Sequence, residues 1–234
     1  METRGMLLSN GSRVRGDVEG GHYVVWEDEL ASVVGHPDPA TLRAVLDDAQ
    51  GVRELLVMRD AFTLVRSGLP EWPYEEAVIH ALPQPVPEWP LPGSHVSFLD
   101  SDTPLDHLPS GLADHVAAAR ASGPVAAAWC DERPVSFCCA GWVTESLWDV
   151  SIDTVHAYRR RGFAQSAVHL MAAFHRESAR LPVWGAVIGN LASLQLASRM
   201  GFVPVDTLYV FGRPRPRSPG IALASPIGGR RAPD

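Results

Sequence analysis

Val155-His-Ala-Tyr-Arg-Arg-Arg-Gly-Phe-Ala164, followed 26 residues later by Asn190-Leu-Ala-Ser-Leu-Gln-Leu-Ala-Ser-Arg-Met-Gly-Phe202, decides how this chain is read. In the first segment an extended run ends at Tyr158, and Arg159-x-x-Gly162-x-Ala164 opens a helix. The first backbone N–H groups of a helix have no partners within it, and the helix dipole adds partial positive charge, so this start forms an anion site. Gly162 and Ala164 are small, which lets the backbone approach a diphosphate closely. The second segment starts on Asn190, a good N-cap, and ends on a Gly-Phe turn.

Taken in this order with a strand between them, the two segments resemble the GNAT superfamily of acyl-CoA-dependent N-acyltransferases. That family's diphosphate loop reads Gln/Arg-x-x-Gly-x-Gly/Ala at the end of the fourth core strand, and Arg159, Gly162 and Ala164 fit it. Asn190, Ser193, Ala197, Gly201 and Phe202 fit the family's next helix and turn. The resemblance is clear over residues 124–211 and faint before residue 94. It implies acetyl-CoA as cosubstrate, bound by Thr154, Val155, Arg159, Arg160, Arg161, Gly162, Phe163, Ala164, Asn190 and Ser193. It also implies that the backbone around Val155 pairs with the pantetheine arm and that a main-chain N–H there polarises the thioester carbonyl. Many members carry a Tyr four residues before the Gly of Gly-Phe as general acid for the departing thiolate. This chain has Ala197 there, leaving water, Tyr209 or no acid in that role. The Ala variant resembles a GNAT subgroup with an added N-terminal region.

Bulk properties agree. The chain has 234 residues, enough for one large domain or two small ones, and 46% of them are hydrophobic, ample for a packed core. A net charge of −7 argues against a broad grip on nucleic-acid phosphates. The basic run 159–161 is then a local patch on an acidic background, suited to a compact polyanion. Three cysteines, two adjacent at Cys138 and Cys139, form neither a disulfide framework nor a zinc spacing. They read as small core residues of a strand. His169 and His175 lack an acidic or histidine partner at i+4, so no metal is expected. No apolar run is long enough to span a bilayer and no signal-peptide core is present, so a cytoplasmic location is expected, with no membrane partner.

Residues 1–21, rich in Gly, Ser and charge, read as a flexible lead-in. An N-terminal α/β region follows over 22–92: strands at His22–Trp26 and Ala31–Val34, a helix opened by Asp38-Pro39, a strand at Arg53–Met58, a short helix at Asp60–Arg66 and, at Tyr74–Leu82, either a strand or a helix, with strand preferred. Five of the ten residues 83–92 are proline, which marks a linker. The acyltransferase domain is expected over 93–211 as antiparallel strands followed by a β-α-β-α-β run, giving a mixed, largely antiparallel sheet flanked by helices. The proline-rich tail 212–234 reads as disordered, and no internal repeat is evident. In the helix after the loop, Phe163, Ala167, Leu170, Met171 and Phe174 form the stripe that packs on the sheet, while Gln165, His169 and Arg176 face water.

Transfer of an acyl group to an amine requires removal of a proton from the ammonium form and stabilisation of an oxyanion. Period-2 alternation over 147–155 puts Asp149, Ser151, Asp153 and Val155 on one strand face. By resemblance the positions of Asp149 and Ser151 reach the acceptor cleft. Asp149 is therefore the first candidate for the catalytic base and Asp153 the second, as a carboxylate that orients the amine. Both could instead solvate an exposed strand face. Glu145, at the strand's edge, is a weaker candidate. The expected acceptor is a primary amine of a small molecule or peptide, with a homodimer left open. Two other readings stand beside this one: a non-catalytic acyl-CoA-binding regulatory module, and a tandem protein whose first 92 residues bind a separate ligand. If the segment 93–211 is short on its acceptor side, the N-terminal region supplies part of the pocket, with Trp72, Tyr74 or His80 as wall residues.

Overall fold

A computed structural model describes residues 2–49, 51–83, 89 and 95–214. The tail beyond Pro214 and most of the proline-rich stretch 83–92 lie outside the described residues. The elements in chain order are α1 (Glu2–Leu8), β1 (Arg13–Asp17), β2 (His22–Glu27), β3 (Leu30–Val34), α2 (Pro39–Asp48), β4 (Glu54–Met58), α3 (Phe62–Gly68) and β5 (Tyr74–Ala81). The second half adds β6 (Val96–Phe98), α4 (Ser110–Ser122), β7 (Ala126–Cys130), β8 (Arg133–Val143), β9 (Leu147–Thr154), α5 (Phe163–Arg176), β10 (Leu181–Val187), α6 (Leu191–Arg199) and β11 (Val203–Gly212).

Local chemistry accounts for most of these boundaries. The Asp38 side chain accepts from the Ala40 N–H at 2.7 Å and Pro39 occupies the first helical position, so α2 begins where its punctuation says. Asp131 and Glu132 both have positive φ, 49° and 63°, and close β7 onto β8 as a two-residue hairpin turn whose twist suits the flanking strands. Arg133 and Pro134 already belong to β8. Residues 1–21 are not a bare lead-in. They carry α1 and β1, with Met6 fully buried against Tyr23 and Val25. Gly5 lies against the Trp142 ring, and Arg4 pairs with Glu145, so α1 reaches the β8–β9 hairpin. The Arg4 guanidinium holds the Glu145 carboxyl below its usual range.

The eleven strands among the described residues form one sheet in the order β1-β2-β3-β4-β11-β5-β10-β9-β8-β7-β6. Neighbours are antiparallel except for β3–β4 and β9–β10, the two pairs joined through a helix. The order contains an internal repeat that the sequence did not reveal. The run α1-β1-β2-β3-α2-β4-α3-β5 has the same pairings as α4-β7-β8-β9-α5-β10-α6-β11, in each case an antiparallel meander, a helix, a parallel strand, a helix and a last strand. The last strands are exchanged: β11 pairs with β4 of the first half, β5 pairs with β10 of the second, and the two pair with each other.

Because of this exchange the two regions divided at residue 92 are not separate in space. Phe211 and Tyr209 of β11 pack in the first half's core with Leu42, Val45, Leu55 and Val57, and Leu82 after β5 packs in the second half's core with Trp148, Met171 and Trp184. Burying Phe211 completely contributes on the order of 2 kcal/mol to a core that its own half does not contain. Both cores lie on one face of the sheet, since Phe211 is registered with Tyr74, and Trp184 with His80, two residues that share a face of β5. The opposite face carries α4, seated by Val116 on Phe137 and Cys139. No described helix is long and apolar enough to cross a membrane.

Candidate active site

The parallel pair β9–β10 is joined only at its start, with Leu147 opposite Leu181, Trp148 opposite Pro182 and Asp149 opposite Val183. Beyond that rung β9 stays with β8 up to Thr154, and β10 stays with β5 up to Val187, so the two strands splay into a V. The Val155 N–H, expected to meet the cosubstrate, donates instead to the Val135 carbonyl at 2.9 Å. Antiparallel alternation then turns the neighbouring Thr154 N–H toward the open side of the V. Thr154 Oγ1 is 2.7 Å from Ser136 Oγ, and its carbonyl accepts from Arg159 Nε at 3.2 Å, which fixes the strand end.

At the mouth of the V the chain passes through the turn His156–Tyr158 and Arg160, with φ 60°, to Gly162, with φ 88°, where α5 begins. A Cβ on Gly162 would meet no atom within 4 Å, so glycine is needed there for its backbone angle and for what must approach it. Among the described residues no side chain caps α5, whereas Asp38 caps α2 and Asn190 caps α6. The first N–H groups of α5, beginning at Phe163 and Ala164, are thus left for an external anion. Arg159, Arg160 and Arg161 are exposed around this start, and Arg161 stands 5.4 Å and 5.2 Å from the Tyr158 and Phe163 ring centroids. In the repeat's first half the same connection has four residues, 35–38, against eight, 155–162, and the Asp38 carboxylate fills the helix start.

Asn190 Oδ1 accepts from the Ser193 N–H at 3.2 Å, and Ser193 Oγ accepts from Trp184 Nε1 at 2.8 Å. Asn190 therefore caps α6, and Ser193 holds α6 to β10 at the far arm of the V. Ala197 is fully buried. Tyr209 packs with Phe62 at 4.1 Å and Tyr74 at 6.0 Å in the first half's core, which removes it as a substitute acid.

Asp149, Ser151 and Asp153 share the face that α4 covers, registered with Cys139 and Phe137 of β8. Asp149 lies at the closed end of the V beside Gly141, where a Cβ would come within 2.8 Å of its Oδ2. Asp153 is half-exposed farther along. Burial pushes the Cys138 and Cys139 thiols up, which opposes thiolate chemistry and fits core residues. His115, on α4, carries no local signal of a role. Its Nε2 is 3.4 Å from Ser151 Oγ and 3.8 Å from Asp153 Oδ2. Only the fold brings these residues together, since 36 positions separate His115 from Ser151.

Several expected surroundings are corrected. His169 does not face water. It is buried and stacked on Trp89 at 5.0 Å. Trp72 belongs to the first half's core, the exposed Tyr74 packs its ring on Phe62 and Phe211, and His80, buried on the face opposite α4, has Nδ1 3.3 Å from the Trp184 carbonyl. None of the three walls the face of Asp149. The first half's contribution there is β5 itself, through Ala81 beside Val183 and Ile79 beside Gly185. Among the described residues no group of His, Cys, Asp and Glu is placed to hold a metal ion.

Comparison with known proteins accords with this geometry. Residues 117–211 match the family model described as GNAT acetyltransferase. No curated protein matches the chain in sequence. Among solved structures, the chain is similar in fold to a GCN5-related N-acetyltransferase-like protein from Streptococcus suis, with TM-score 0.60, 12% identity and coverage of 88% of this chain and 90% of that one. It is also similar to a GCN5-related N-acetyltransferase from Kribbella flavida, with TM-score 0.57, 18% identity and coverage of 92% and 93%. A third similar structure is a tandem GNAT protein from the clavulanic acid biosynthesis pathway, with TM-score 0.52, 11% identity and coverage of 86% and 83%. The splayed strand pair and the open start of α5 both lie within the segment that matches the GNAT acetyltransferase model, and the chain has the fold of these solved structures.

Proposed function

We propose that the enzyme moves an acetyl group from acetyl-CoA to a primary amine of a small molecule or peptide by direct attack of the amine on the thioester. The observation that carries this reading is the uncapped start of α5, with Gly162 in the left-handed region, at the mouth of the V between β9 and β10. In this reading the diphosphate sits on the N–H groups of Phe163 and Ala164 with Arg159, Arg160 and Arg161 around it. The pantetheine arm lies along the open edge of β9 at Thr154 and Val155, passing Asn190 and Ser193 on the other arm. This brings the thioester to the closed end of the V, near Asp149.

The acceptor then approaches from the α4 side, where Asp149 and Asp153 favour a cationic amine over a neutral one. After the amine loses a proton, its nitrogen bonds to the carbonyl carbon and the C–S bond breaks. With Ala197 in place of an acid, the thiolate leaves unaided, which a thiol of free pKa about 8.5 tolerates. Incubation with acetyl-CoA and a panel of primary amines, followed by release of free thiol, tests the reading. Amine-dependent release with the acetylated amine found by mass spectrometry supports it; acetyl-CoA binding with no transfer to any amine would favour a binding module.

A further inference from the structure

His115 has no role in the reaction as outlined, yet it stands over the strand face on which the amine is expected. Val116, its neighbour, is packed against the sheet, so the backbone that carries the imidazole is fixed. The Nε2 atom spans two successive residues of that face, 3.4 Å from Ser151 Oγ and 3.8 Å from Asp153 Oδ2. Side-chain exposure of 51% for His115 and 49% for Asp153 leaves the pair open both to an acceptor and to water. An exposed pair of this kind contributes little to stability, so holding the fold together does not account for it. The buried histidines 169 and 175 belong to α5, which covers the opposite face of the sheet. Among the described residues His115 is the histidine within reach of Ser151 and Asp153.

Resting on the acetyltransferase reading above, we infer that His115 is the catalytic base that takes the proton from the incoming ammonium group, with Asp153 as the positioning residue that orients its ring. An imidazole titrates close to neutral pH, where a base is most effective, and a carboxylate titrates well below it. The N–H bond of the ammonium breaks, its electron pair stays on nitrogen, and the proton goes to the ring nitrogen not engaged by Asp153. The freed amine bonds to the thioester carbonyl carbon and the C–S bond breaks. The second proton lost from nitrogen protonates the thiolate, and the imidazolium returns its proton to water. In sum, ammonium and acetyl-CoA give amide, CoA thiol and one proton. Asp149 then serves to hold the cation at the closed end of the V.

Full-length His115→Gln, His115→Ala and Asp153→Asn, assayed with acetyl-CoA and spermidine, an aminosugar and lysine methyl ester, test the inference. For the best of these amines, His115→Gln is expected to lose about 10²-fold or more in kcat, the usual contribution of a general base. Acetyl-CoA affinity by calorimetry and the thermal midpoint should stay at wild-type values, which a structural role would not allow. Added imidazole should restore part of the rate in His115→Ala and none in the wild type, and Asp153→Asn should lose about tenfold or less, as a positioning residue does. Unchanged kcat in His115→Gln overturns the inference and leaves the transferase reading intact. Acetyl-CoA binding by a wild-type enzyme that acetylates none of the amines overturns both.

Discussion

Asp149 and Val183 face each other across the last rung that joins β9 to β10, and the V opens from there toward Gly162. The rung puts a carboxylate at the closed end of the cleft, next to where the thioester is expected. An ammonium held there gains charge-assisted hydrogen bonds worth about 1.5–3 kcal/mol. Asp149→Asn should therefore raise KM for a cationic amine by about tenfold or more, equivalent to ~1.4 kcal/mol, with acetyl-CoA affinity unchanged. Steady-state kinetics decide the matter. A fall of about 10²-fold in kcat at constant KM would make Asp149 the base in place of His115.

The exchanged strands predict how the chain behaves when cut. A chain beginning at residue 91 lacks β1 to β5, so β10 loses one neighbour and β11 loses both, β4 and β5, and Leu82 and Trp89 are lost from the core around Trp184 and Phe202. Unpaired central edges with apolar faces aggregate. This truncated chain should be insoluble or lack a cooperative thermal transition by circular dichroism. A soluble, folded, acetyl-CoA-binding fragment would show that β5 is dispensable and that the exchange does not hold the sheet together.

His175 makes stability depend on pH. Burial, with a smaller effect from Arg180, lowers its pKa from 6.5 to about 4, and its ring is stacked 4.7 Å from Trp148. Neither ring nitrogen has a hydrogen-bond partner among the described residues. The folded pKa lies below the unfolded one, so the neutral ring's contribution is present above about pH 6.5 and is lost as pH falls toward 4. The loss approaches about 3 kcal/mol at the acid end. Denaturant unfolding at pH 7 and pH 4.5 should show His175→Phe, which keeps the stacking, flattening this dependence and equalling or exceeding the wild type at acid pH. An unaltered pH dependence in the variant would place the titrating group elsewhere.

What could be read from the chain follows from the range of the forces involved. The start of α2 at Asp38-Pro39 and the packed stripe Ala167, Leu170, Met171 are local, and backbone sterics and periodicity placed them. The open start of α5 was legible because Arg159, Gly162 and Ala164 carry its chemistry within six residues. Strand partners are chosen by long-range packing, so the insertion of β11 between β4 and β5 left no local mark. The repeat was hidden for a related reason: a meander and two helices need only suitable apolar spacing, and the two connecting loops, 35–38 and 155–162, share no chemistry. His169 was misplaced because the helix stripe could not foresee Trp89 covering it. His115 was missed because an exposed histidine on a helix becomes informative only once β9 lies beneath it.

In the proposed reading each chain has one acyl-CoA site, at the open start of α5, while Asp38 closes the equivalent start of α2. Calorimetric titration of the full-length enzyme with acetyl-CoA tests it most directly. One equivalent should bind per chain, and Gly162→Asp, which puts a side chain and a negative charge where the diphosphate is expected, should bind at least tenfold more weakly, or ~1.4 kcal/mol, with the fold retained by circular dichroism. Two equivalents per chain, or wild-type affinity in folded Gly162→Asp, would contradict it.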